Sequence, residues 1–76
     1  MHYYNDTELY QIICNNIKKY RIQAHLTQIQ LSERTNLSIS YISKIEAAGC
    51  HKSMSISALN QISKALNVEI SEFFKN

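Results

Sequence analysis

Between residues 27 and 38 the chain carries two helix-start signals with a stop between them. Thr27 can cap a helix, and Gln30, three residues on, can bond back to the cap backbone, the reciprocal pattern of a capping box. Leu26 before the cap and Leu31 at the fourth helical position supply the matching hydrophobic staple. Asn36 then stops the helix after about Thr35, because asparagine tolerates the left-handed backbone that a sharp turn needs. Ser38 is a good cap for the next helix, which the spacing predicts over 39–47. Its wheel turns Ile42 and Ile45 inward and Ser40, Ser43 and Lys44 outward.

The rest of the chain supplies neighbours for this pair. Leu9, Ile12, Ile13, Ile17, Tyr20 and Ala24 recur at helical spacing, with Asn5 and Glu8 as a capping box at the start. His25 ends that helix; histidine is one of the few residues besides glycine enriched in left-handed geometry. Lys18, Lys19 and Gln23 take its polar face. Residues 48–53 form a loop holding the single glycine, Gly49. Ser55 caps a fourth helix with Ile56, Leu59, Ile62 and Leu66 on one face, and Asn67 stops it. Ser71 is expected to cap a last short helix containing Phe73 and Phe74. The fold class is all-α: five helices in one domain over 1–76, with 1–6 as an N-terminal extension and the paired short helices at about 27–47.

Composition agrees. Proline is absent and glycine occurs once, which argues against a turn-rich β domain or a flexible linker. No apolar run approaches the roughly 18 residues of a membrane span, and the polar, aromatic start does not read as a signal peptide. Two cysteines make no disulfide framework, so the expected setting is a reducing one, the cytoplasm. The small net charge of +2 hides a polarisation. Within residues 15–52 six basic side chains stand against Glu33 and Glu46, a net of +4. The flanks carry Lys64 and Lys75 against Asp6, Glu8, Glu69 and Glu72, a net of −2. One half of the molecule can therefore face a polyanion while the other avoids it.

Two short helices joined by a tight turn, the second with a polar outer face, form the helix-turn-helix pattern. The residue string is more specific than the periodicity. Thr27, Gln28, Leu31, Ser32, Glu33 and Arg34, then Asn36, Leu37 and Ser38, then Ser40 to Glu46 without a break, resemble the Cro and phage-repressor family, whose fold is lambda-repressor-like. So do Ser55, Ile56 and Leu59, Lys64 to Val68, and Ser71 to Phe73; the resemblance covers about residues 15–74. Ser32 stands where the family wants a small side chain between crossing helices, and His25 and Asn36 occupy sites usually held by glycine. The resemblance implies a buried ion pair between Arg21 and Glu46; the competing reading is that Arg21 binds phosphate.

The same resemblance implies a DNA-binding surface. It places the base-facing positions at Ser38, Ile39, Ser40 and Ser43, with Tyr41 and Lys44 beside them. Ile39 can make only apolar contact, most naturally with a thymine methyl, and serine hydroxyls discriminate weakly. Gln28 opens the second helix, whose N-terminal N–H groups form an anion site, and in the family this glutamine contacts a phosphate and buttresses the recognition helix. Lys52 is a second phosphate candidate. His25, His51, Cys14 and Cys50 lack metal-ligand spacing, no catalytic grouping can be argued, and no cofactor or small-molecule ligand is evident.

The function expected is sequence-specific binding of double-stranded operator DNA by a bacterial or phage-type regulator, a repressor or controller and not an enzyme. A homodimer is expected because one short recognition helix covers half a site. Its surface would be the last helix, where Phe73 and Phe74 are adjacent and cannot both be buried. The alternative is a protein-interaction module or antitoxin subunit that keeps the fold.

Overall fold

A computed structural model describes residues 3–49 and 53–76. Lys52, Cys50 and His51 lie outside them. Four α-helices follow one another, α1 (Asp6–Gln23), α2 (Gln28–Thr35), α3 (Ile39–Glu46) and α4 (Ile56–Leu66), and a 3-10 turn at Ile70–Phe74 closes the chain. The described residues contain no strand.

The local signals act where they stand. Asn5 accepts from the Glu8 N–H while Glu8 accepts from the Asn5 N–H, and Thr27 and Gln30 repeat the reciprocal bond on α2. Ser38 and Ser55 cap α3 and α4 by accepting from the Tyr41 and Ala58 N–H groups. Three reversals are left-handed: His25 at φ 59°, Asn36 at 61° and Asn67 at 56°. Each places a turn where helices usually end in glycine.

Ile13, Cys14 and Ile17 of α1, Leu26 and Leu31, Ile42 and Ile45 of α3, Leu59, Ile62 and Leu66 of α4, and Phe73 form one core. α3 packs on α1 and α2, α4 on α1 and α2, and the terminal turn on α1 and α4. Tyr10 and Tyr20 lie against this core, as does Tyr41.

The structure corrects several expectations. The last short helix is a five-residue 3-10 helix, in keeping with the five-helix order, but Ser71 does not cap it; Glu69 precedes it with no side-chain cap. Five residues provide too little propagation for an α-helix, and the tighter 3-10 pattern is used in such short pieces. Ala24 is the exposed C-cap of α1, past the last turn that reaches the core. Ile56 opens α4 and is 69% exposed, because the inward face is taken up by Ala58, Leu59 and Ile62.

The terminal turn is held by polar bonds as well as by Phe73. The Asn16 amide donates to the Phe73 carbonyl (2.8 Å) and to the Lys75 carbonyl (2.7 Å). The Tyr20 hydroxyl donates to Glu72 at 3.1 Å, and its ring meets Phe73 edge-on with centroids 6.2 Å apart. Bonds from Lys75 and Tyr20 hold the Glu72 carboxyl below its ordinary value. Burial, reinforced by Glu72, raises the Tyr20 phenol.

The signs fix a pH window. The Glu72 contribution is complete above the ordinary carboxylate value of 4.5 and is lost as pH falls through the depressed folded value. The Tyr20 contribution is complete below the ordinary phenol value of 10.0 and is lost as pH rises through the raised folded value. The ring-shifted Phe73 and Tyr20 proton resonances are therefore expected to hold between these limits and to move toward free values beyond either. Glu72→Gln should abolish the acid limb and move the alkaline limb to lower pH, since Glu72 helps to raise Tyr20; an acid limb that survives it assigns the transition to another group.

Candidate nucleic-acid interface

α3 has eight residues, so it is about 12 Å long, close to the width of a B-DNA major groove. Its inner face is fixed: Ile42, Ile45 and Glu46 are buried. Its outer face carries Ile39, Ser40, Ser43 and Lys44, all exposed, with Ser38 at the cap. Ile39 is 44% exposed although it is a large apolar residue. The Ser38 oxygen is engaged by the Tyr41 N–H. Tyr41 departs from the rest of the set: it is half-buried against the core, where burial, followed by nearby Cys14, raises its phenol.

The turn between α2 and α3 is bonded internally. The buried Thr35 hydroxyl donates to the Leu31 carbonyl at 2.8 Å and accepts the Leu37 N–H at 3.2 Å. The Ser32 hydroxyl donates to the Leu37 carbonyl. Ser32 is thus more than a small residue at a crossing, since it ties α2 to the segment entering α3. Thr35 had no signal in the sequence beyond its place at a helix end.

The C-terminal end of α3 is clamped through Glu46. Arg21 donates from Nε to Glu46 Oε2 at 2.7 Å and from Nη2 to Oε1 at 2.8 Å, a two-pronged pair. Arg21 Nη1 donates to the Leu26 carbonyl at 2.6 Å. Gln28 Nε2 adds a bond to Glu46 Oε1 at 3.2 Å. The guanidinium thus faces the protein, and α1, the α1–α2 turn, the start of α2 and the end of α3 meet at one carboxylate. Gln28 touches α3 directly, at the helix start whose free N–H groups would face an anion.

The remaining cations are spread unevenly. Lys44 stands on α3 itself. Lys19 is turned away: its ammonium lies 5.3 Å from the Tyr20 ring centroid, and its charge helps to lower Glu72. Lys52 lies outside the described residues. Cys14 is buried. Among the described residues no three His, Cys, Asp or Glu side chains gather where a metal could sit, and no helix is long and apolar enough to cross a membrane.

Residues 17–73, most of the chain, match the helix-turn-helix family. The chain belongs to the Cro and phage-repressor type of that family. It is a DNA-binding helix-turn-helix regulator. No curated protein matches it. The match spans α2, α3 and α4, and begins inside α1 before Arg21, so it contains the whole Glu46 clamp.

Removing either member of that clamp strands a buried charge at a cost of about 3–5 kcal/mol, much of what so small a domain holds. Arg21→Ala and Glu46→Ala are expected to unfold the regulator or lower its melting temperature steeply, as followed by circular dichroism. A normal melting temperature with DNA affinity alone lost would return Arg21 to the role of a phosphate ligand.

Proposed function

We propose that this regulator binds operator duplex sequence-specifically as a homodimer, with α3 in the major groove and α2 along the phosphate backbone. The observation that carries the reading is the division of α3. Its inner face and C-terminal end are fixed by the core and by Glu46, while Ile39, Ser40, Ser43 and Lys44 stand free of the core on one face. Ser38, Ile39, Ser40 and Ser43 are the base-reading positions, with Tyr41 placed to hold the helix more than to read. Gln28 and Lys44 serve as phosphate contacts, and Lys52 serves as another from the loop after α3. The action is that of a repressor or controller, with occupancy of the operator as its output.

Electrostatics supports the same face. With Glu46 paired to Arg21 and Lys19 turned toward Tyr20 and Glu72, Glu33 is the one acidic side chain left unpaired by Arg21 between residues 15 and 49, against Lys18, Arg34 and Lys44. Affinity for random duplex is expected to fall with salt, with a log–log slope of about −0.9 per phosphate neutralised. Lys44→Ala should weaken all sequences alike and reduce that slope by about one unit. A flat salt response would favour a protein partner on this surface, and altered base preference in Lys44→Ala would make Lys44 a reader.

The proposed dimer surface is the end of the chain. Phe73 is fully buried, whereas its neighbour Phe74 is 38% exposed. Tyr4 accepts a bond from the Asn76 amide at 3.3 Å, which brings the exposed Tyr3–Tyr4 segment beside the C-terminus. These rings supply an apolar patch of the kind that seeks a partner, and two copies would reach half-sites about 34 Å apart. Sedimentation is expected to show a concentration-dependent dimer that Phe74→Ala weakens without unfolding. A monomer at all concentrations removes the dimer from the proposal.

A further inference from the structure

Each reading position of α3 holds either an apolar group or a hydroxyl. Ile39 is a four-carbon branched side chain, 44% exposed at the first position of the helix. It is absent from the core, to which α3 contributes Ile42 and Ile45, with Tyr41 packed against it. Ser40 and Ser43 are exposed beside it. The side chains able to grip a base edge with two bonds are placed elsewhere. Glu46 is buried against Arg21, and Gln28 donates to Glu46. Apart from Lys44, assigned above to a phosphate, the outer face of α3 holds no arginine, asparagine, glutamine or free carboxylate, the other groups that recognise guanine, adenine or cytosine by hydrogen bonds to the base edge.

An apolar side chain finds one apolar feature on a base edge in the major groove, the methyl group at C5 of a pyrimidine. Thymine always carries it, and cytosine carries it only when methylated at C5. The two bases then differ at position 4, an acceptor oxygen in thymine and a donor amine in cytosine. A serine hydroxyl rotates to donate or to accept and so fits either. Ile39, Ser40 and Ser43 set no unmatched charge or fixed donor against either base, and Lys44, the one charged side chain on this face, stands more than a turn beyond Ile39 along α3 and serves a phosphate in the reading above.

We propose that Ile39 reads the C5 methyl group itself, so that its contact position accepts thymine and 5-methylcytosine alike and disfavours cytosine and uracil. The ligand is duplex DNA bearing a C5-methylated pyrimidine in the groove, and where the operator has cytosine at that position, methylation of the DNA raises occupancy. The inference rests on the placement of α3 in the major groove proposed above.

The test uses the full chain and an operator obtained by selecting bound fragments from random duplex. Each pyrimidine of the half-site is replaced in turn by thymine, deoxyuridine, cytosine or 5-methylcytosine, and affinity is read by fluorescence anisotropy at fixed salt. At one position per half-site, thymine and 5-methylcytosine are expected to bind about three- to fivefold more tightly than deoxyuridine and cytosine, the worth of one buried methyl group. Ile39→Ala should flatten the four to within about twofold and keep the salt slope, since Ile39 neutralises no phosphate. Alanine is the better helix former at this exposed site, and an unchanged melting curve verifies the fold. The proposal is overturned if thymine and deoxyuridine bind equally at every position. It is also overturned if the methyl preference survives Ile39→Ala, or if 5-methylcytosine binds like cytosine while thymine exceeds deoxyuridine. Salt-dependent duplex binding without a methyl preference leaves the DNA reading standing and removes this inference, whereas no duplex binding removes both.

Discussion

One carboxylate organises the half of the molecule that carries the α2–α3 pair. Glu46 receives two bonds from Arg21 and one from Gln28, while the third arm of Arg21 takes the Leu26 carbonyl. Three consecutive pieces of chain, α1, the α1–α2 turn and the start of α2, are thereby set relative to the distant end of α3. Hydrophobic contact between α3 and its neighbours is tolerant of sliding, because it is proportional to area and indifferent to direction. A two-pronged guanidinium–carboxylate pair fixes geometry as well as distance. The gain in net stability from such a buried pair is small, and its consequence is the fixed projection of Ile39, Ser40, Ser43 and Lys44 from a helix of only eight residues.

A second set of polar bonds organises the opposite end. Asn16 satisfies two carbonyls of the terminal segment, and Tyr20 joins it through Glu72. The molecule thus has one apolar core and two polar clamps, both built on α1. Arg21 faces the end of α3 and the α1–α2 turn, and Asn16 and Tyr20 face the chain end. Helix α1 is the frame to which both the α2–α3 pair and the exposed Phe74 are referred.

What could be read from the sequence follows from how local each interaction is. Both capping boxes, the Ser38 and Ser55 caps and the stops at His25, Asn36 and Asn67 involve residues a few positions apart, and spacing alone identified them. The ion pair spans 25 residues and came from family resemblance. The Asn16 bonds span more than 55 residues and carried no signal, since one asparagine on a helix looks like any other. Thr35 was hidden for a different reason: its hydroxyl turns back into the α2–α3 turn, a choice of rotamer that composition does not encode. Of the misread positions, Ala24 and Ile56 lie where a periodic stripe runs past the turn that still touches the core, and Ser71 lies inside a terminal 3-10 turn that begins before it. Of the candidate site, exposure of the α3 outer face was legible from the wheel, while the withdrawal of Tyr41 and Lys19 toward other partners required three dimensions.

The three left-handed reversals act on the unfolded chain as well as on the folded one. His25, Asn36 and Asn67 hold φ near +60° with a Cβ in place, which strains each by about 1 kcal/mol or less for asparagine and more for histidine. Glycine would relieve that strain, but it would also widen the ensemble of the unfolded chain, worth about 0.4–1 kcal/mol at each site. The two effects are of similar size and opposite sign. A chain whose one glycine lies in the loop after α3 thus turns its corners with residues that give the unfolded state less freedom to lose.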